Sequence, residues 1–180
     1  MKNIPLKYLV PTLILTLLPC LHAEDWKQTL RRELPLLGHR NWIVVTDSAY
    51  PWQVSPGVQT IATGTTQQAV VKEVLSALRR AGHVKPSVLL DRELGFVPEN
   101  LAPGITAYRR DLDSLLSTRE VERLPHEQII SKLDEAGKTF HVLLLKTNLQ
   151  LPYTSVFFRL DCGYWNAPSE KRLRALIPAK

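Results

Sequence analysis

Leu37-Gly38-His39 is followed, after one residue, by Asn41-Trp42-Ile43-Val44-Val45-Thr46-Asp47-Ser48-Ala49-Tyr50-Pro51. Gly38 is a helix-stopping residue. The β-branched run from Trp42 to Thr46 has the composition of a buried strand. That strand runs into Asp47, and Ser48 to Thr65 is rich in Pro, Gly, Ser and Thr, so it reads as loop with one short strand near Val58 to Ala62. An imidazole, His39, thus stands before a rigid strand and a carboxylate stands after it.

The same alternation extends in both directions. Before Gly38, Trp26, Leu30, Leu34 and Leu37 recur at helical spacing, which predicts a helix over Glu24 to Leu37 with Pro35 limiting its last turn. Thr66 to Ala81 carries the strongest 3.6-residue stripe, built on Val70, Val71, Val74, Leu75 and Leu78, with Thr65 or Thr66 as cap and Gly82 as stop. Ser87 to Leu90 reads as a second buried strand ending at Asp91. Gly95 to Thr106 reads as loop, Ala107 to Arg110 as a short strand, and Asp111 to Ser117 as a short helix or turn. Pro125 to Ala136 reads as a helix stopped by Gly137. Strands are expected over Phe140 to Lys146 and Val156 to Leu160, with a polar hinge from Thr147 to Tyr153 between them. Helix–strand alternation over the chain implies one layered α/β domain, residues 24–165, with a central sheet flanked by helices. Residues 166–180 form a basic amphipathic tail.

Composition bounds the function. The chain has 180 residues and a hydrophobic content of 44%, enough for one well-buried core. Lys2 and Lys7 precede an apolar run from Tyr8 to Leu21, and Leu21-His22-Ala23 offers a cleavage site before Glu24. This is the layout of a secretory signal peptide, so residues 1–23 are expected to be removed and the protein to be periplasmic or secreted. The run is short for a span and is interrupted by Pro11 and Pro19, so no stable membrane span is expected after cleavage. Cleavage would leave Cys162 as the one cysteine, which excludes an intramolecular disulfide. It would also leave a formal net charge of about +4, counted from the printed residues less Lys2 and Lys7. The basic residues lie in scattered pairs such as Arg31-Arg32 and Arg79-Arg80, and this does not suit nucleic-acid binding. No glycine-rich phosphate loop or metal motif stands out. His126-Glu127 lacks the second histidine of a zinc protease. No cofactor and no metal is implied.

Four dispersed segments carry a resemblance. Leu37-Gly38-His39 with a strand ending in Asp47-Ser48, Pro125-His126-Glu127-Gln128 at a helix start, and Pro152-Tyr153-Thr154-Ser155 before the last strand stand in the order found in the D-ribose pyranase / L-fucose mutarotase family. The chain resembles that family from about Leu30 to Leu160. It departs from it in carrying Ser155 where the family has an asparagine, in a longer segment between His126 and Tyr153, and in the added tail. The resemblance implies a sugar mutarotase or pyranase-like isomerase acting on a free monosaccharide such as ribose or fucose. It makes His39 the general acid/base, and Asp47, His126, Tyr153 and Ser155 the sugar-binding residues. It further implies a homo-oligomeric ring, commonly a decamer, with sites near subunit contacts.

The chemistry fits these residue types. Ring opening moves a proton off one hydroxyl and onto the ring oxygen, work suited to a group that titrates near neutrality, such as histidine. Each residue also has a structural use. His39 can serve as a cation at a helix C-terminus, Asp47 as a turn former, His126 as a surface residue and Tyr153 as packing. His83 and His141 read as structural. A non-catalytic monosaccharide-binding or structural protein that keeps the fold is the competing reading.

Overall fold

The computed structural model describes residues 25–178. The expected signal peptide lies outside the described residues. Helix α1 spans Trp26–Glu33, α2 Gln67–Arg80, α3 Ile105–Leu116, α4 His126–Thr139 and α5 Ala167–Leu176; strands are β1 Trp42–Thr46, β2 Val58–Ala62, β3 Val84–Asp91, β4 Val121–Leu124, β5 Val142–Lys146 and β6 Val156–Cys162. They form a single six-stranded sheet in the order β2-β5-β1-β6-β3-β4. β2, β5 and β1 run parallel, as do β3 and β4, and β6 runs antiparallel between β1 and β3. The molecule is the α/β domain that the alternation implied.

Strand alternation assigns the two faces. Ile43 and Val45 of β1, Val88 and Leu90 of β3 and Phe158 of β6 point into a core shared with α1, α2 and α3. Trp42 and Val44, Leu89 and Phe157 point the other way, onto Ile129 and Leu133 of α4. Burial on both faces explains why β1 reads as an unbroken apolar run. α5 buries none of its residues.

Four expectations are corrected. The first helix stops at Glu33 and continues as a 3-10 turn over Leu34–Leu36, with Pro35 inside it. Residues 105–116 form one helix, not a strand followed by a turn. Ile105, Tyr108, Leu112 and Leu116 are its buried stripe, and this packing outweighs the local strand preference of Thr106 and Tyr108. Val121–Leu124 is an edge strand that the sequence reading passed over. Gly137 lies within α4, which runs on to Thr139. A Cβ at Gly137 would meet the Val58 side chain at 2.9 Å, so this glycine serves helix–strand packing.

Candidate functional site

The strand directions bring separate chain segments to one pole of the sheet. β1, β3, β4 and β5 all end there, and β6 begins there, since Val156 pairs with both Val45 and Leu90. The carboxyl pole of parallel strands, where strand order changes direction, is a common place for ligands in α/β folds. Asp47 follows β1, Asp91 closes β3, His126 opens α4 just beyond β4, and Tyr153 and Ser155 lead into β6.

His126 and Asp91 form the centre of this pole. His126 Nδ1 lies 3.2 Å from Asp91 Oδ1, and the Asp91 side chain is 1% exposed against 32% for His126. The approach lacks the alignment of a full hydrogen bond, and neither Asp91 oxygen has another donor. Burial pushes the Asp91 carboxyl up to about 6; His126 opposes this, while Glu93 and Asp47 add to it. The ring of Tyr153 stands edge-on to His126, with centroids 5.4 Å apart and an interplanar angle of 81°. The His126 backbone N–H donates to both carboxylate oxygens of Glu93, at 3.1 and 3.0 Å, and this caps α4. The net effect on Glu93 is a lowered pKa. Burial, the largest single influence, works against that, and the two backbone donors with the charges of His126 and Arg92 prevail.

Tyr153 is held in an uncommon conformation. Its φ is +57°, in the left-handed region that a bulky residue rarely adopts. A buried network imposes this turn. Tyr108 donates its hydroxyl proton to the Thr154 carbonyl at 2.7 Å, and the Gln67 amide donates to the same carbonyl. Gln67 also donates to the Tyr108 hydroxyl and accepts from Thr147. Strain of this kind persists where the surroundings over-determine it, as they do at ligand sites.

An apolar cleft of about 500 Å³ flanks the Tyr153 ring, with Phe96, Val97, Leu101, Pro125 and Pro152 in its walls and Arg92 and Glu93 at its edge. Asp47 forms an Asx turn, accepting from Ala49 N at 2.8 Å. Nearby Tyr50 is buried with an unpartnered hydroxyl. Its pKa is raised, chiefly by burial and then by Asp134, Asp91 and Asp47.

The structure therefore brings Asp47, His126, Tyr153 and Ser155 to one pole and leaves His39 at the other. His39 precedes β1, and its Nε2 lies 3.6 Å from Asp161 Oδ1 near the end of β6. β1 lies between them, and Trp42 to Thr46 alone spans about 13 Å at about 3.3 Å per residue, so His39 and Asp47 of one chain sit beyond opposite ends of the strand. His39 lines its own cleft of about 440 Å³ with Arg40, Trp42, Phe140, Arg159 and Asp161. His83 Nε2 meets the Leu37 carbonyl and His141 Nε2 meets Glu33, which gives both histidines structural partners. Sequence reasoning missed Asp91, Glu93 and the Gln67 network. The one signal for Asp91 was an acid closing an apolar strand, and its pairing with His126 is tertiary.

Fold and site together define a mixed-sheet α/β domain with an acid–imidazole–phenol cluster at its carboxyl pole. The chain shares its fold with Bacillus subtilis RbsD complexed with D-ribose, with a TM-score of 0.53 and 19% identity over 74% of this chain and 91% of that one. Two further structures have lower scores. The fucose mutarotase in complex with L-fucose from Streptococcus pneumoniae gives 0.49 at 14% identity over 77% of this chain and 95% of its own. FucU from Bifidobacterium longum gives 0.48 at 14% identity over 74% and 92%. No protein-family model matches the chain, and no curated protein does. Among the described residues no helix is long and apolar enough to cross a membrane, and no group of His, Cys, Asp and Glu is disposed to hold a metal ion.

Proposed function

We propose that the protein is an exported monosaccharide mutarotase or pyranase-like isomerase that opens and recloses the ring of a free aldose at the carboxyl pole. The observation that carries this reading is the half-exposed His126, backed by buried Asp91 and flanked by Tyr153, in the fold of a protein whose structure holds D-ribose. With Nδ1 turned to Asp91, Nε2 of His126 is left for a ligand. Tyr153 offers an aromatic face and a hydroxyl to the sugar, and Asp47 and Ser155 offer hydrogen-bond partners.

The reaction needs little else. A base takes the proton of the anomeric hydroxyl, the bond from C1 to the ring oxygen breaks with its electron pair going to oxygen, and an acid protonates that oxygen. Reclosure on the other face of the carbonyl exchanges anomers, and reclosure through another hydroxyl exchanges ring size. Protons balance over the cycle. His39 serves as one acid/base group, and the separation of the two poles requires that it come from a second copy of the chain. A homo-oligomeric ring, decameric in the fullest form of the proposal, would place one copy's His39 against the next copy's His126 pole. Shift perturbation by D-ribose and L-fucose in the 15N spectrum tests the site: the largest changes are expected at Asp47, His126 and Tyr153. Changes confined elsewhere would refute the placement. Binding without any ring exchange would favour the non-catalytic sugar-binding protein.

A further inference from the structure

The Asp91 side chain is 1% exposed, and neither of its oxygens is tied down by a hydrogen bond of the fold. It occupies the N-cap position of the 3-10 turn Arg92–Gly95, yet its side chain makes no capping bond. The start of α4 is capped by Glu93 instead. Neither carboxylate oxygen has an aligned donor, and the one group within 3.2 Å is His126 Nδ1, itself buried and otherwise unpartnered. Two polar groups left facing each other without a full hydrogen bond are costly to the fold, so their retention points to a use beyond it. Asp91 itself is 1% exposed and His126 32%, so the imidazole is the member of the pair that meets solvent.

We infer that Asp91 is a positioning residue of the site, which fixes the His126 ring through Nδ1 and exchanges a proton with it, so that Nε2 presents the sugar with a set orientation and protonation. This rests on the sugar-isomerase reading and deepens it, because it makes His126 an acid/base group within each chain rather than only a binding residue. When Nε2 takes the anomeric proton, the Nδ1 proton moves toward Asp91. When Nε2 returns a proton to the ring oxygen, the Nδ1 proton moves back. No proton is gained or lost over the cycle. The general logic is that of a carboxylate behind an imidazole, which sets tautomer and ring angle.

The charged and titratable groups around Asp91 are His126 from α4, Glu93 from the turn that follows β3, and Asp47 from the end of β1. Tyr50 lies near enough to feel its charge. Burial raises the Asp91 carboxyl most, His126 lowers it, and the neighbouring acids add to the rise, so loss of His126 has a clear signature.

The test compares wild type with Asp91→Asn. Ring exchange of D-ribose and L-fucose at saturating sugar is measured by saturation transfer from pH 5 to pH 8. Asp91→Asn is expected to lower the rate at least about tenfold and up to about 10⁴, the loss known when the carboxylate behind an acid/base histidine becomes an amide, with sugar affinity within about twofold. The wild-type step in rate near pH 6 should be absent from the variant. Unchanged rate and profile in a folded variant overturns the inference. A second arm needs no activity. The Asp91 carboxyl carbon is followed by 13C NMR in wild type and in His126→Gln. A step near pH 6 that moves upward when His126 is replaced supports the pair. A step in the ordinary carboxylate range, or one unmoved by His126→Gln, overturns it. If wild type exchanges no aldose, the isomerase reading fails and this second arm decides the Asp91 pairing separately.

Discussion

Asp91→Asn should make the protein more stable at neutral pH and should do so in a pH-dependent way. The Asp91 carboxyl is raised from 3.8 to about 6, chiefly by burial. A carboxyl raised in the folded state contributes stability that is full below its unfolded pKa and is lost as pH rises through the folded value. The window therefore runs from about pH 4 to about pH 7. A shift of about two units at about 1.4 kcal/mol each corresponds to about 3 kcal/mol of stability lost across it. Asparagine has the same shape and no charge, so the variant escapes this loss. Titrating groups remote from Asp91 act in both proteins and largely cancel in the difference, and making the same comparison in the His126→Gln background removes the contribution of Asp91's coupled partner. The stability difference, variant minus wild type, should thus rise by about 3 kcal/mol between pH 4 and pH 8, on the order of 6–12 °C in Tm for a domain of this size. Urea melts at closely spaced pH values, followed by circular dichroism, measure it. A difference flat within about 0.5 kcal/mol over that range, against the 3 kcal/mol derived from linkage, would refute the claim that Asp91 ionises buried and poorly paired.

Other perturbations probe the scaffold. Gln67→Ala removes the amide that links Tyr108, Thr147 and the Thr154 carbonyl; it should cost about 1–3 kcal/mol, the range for unpairing buried polar groups, and should weaken sugar binding by releasing the Tyr153 turn, as thermal melts and titration calorimetry will read. Gly57→Ala would drive a Cβ into the backbone oxygens of Phe140 and Gly137, and a loss of about 1–3 kcal/mol in denaturant melts is expected from overpacking. His39→Ala and His126→Gln should each be nearly inactive, and mixing them under subunit exchange should restore part of the ring-exchange rate, because some sites then combine an intact His39 with an intact His126. Failure to complement would mean that His39 does not act from a neighbouring copy.

The parts of the fold that were plain in the sequence are those where one local signal dominates. Trp42 to Thr46 is apolar on both faces because both faces are covered, and α2 carries a stripe that no other pattern mimics. The parts that were missed depend on partners distant in sequence. Val121–Leu124 sets two charged residues, Glu122 and Arg123, between a valine and a leucine and so lacks strand alternation, and only pairing with β3 makes it a strand. Gly137 resembles a helix stop until Val58 is seen packed on it. The site divides in the same way. Asp47, His126, Tyr153 and Ser155 were singled out by the family resemblance, and strand direction gathers them at one pole. Asp91 closes β3 as an acid in an apolar run, but its burial and its approach to His126 arise from packing β3 against α4. The separation of His39 from Asp47 was implicit in the strand between them, and the proposed two-copy site rests on it.

The central claim is that the carboxyl pole opens sugar rings, and saturation transfer between the anomers of D-ribose and of L-fucose tests it most directly. Wild type lacking residues 1–23 should accelerate exchange between ring forms of at least one of these aldoses in proportion to protein concentration, and His126→Gln should reduce that acceleration by about 10²–10⁴, the range for loss of an acid/base group. Exchange at the uncatalysed rate for wild type, or equal acceleration by wild type and His126→Gln, would contradict it.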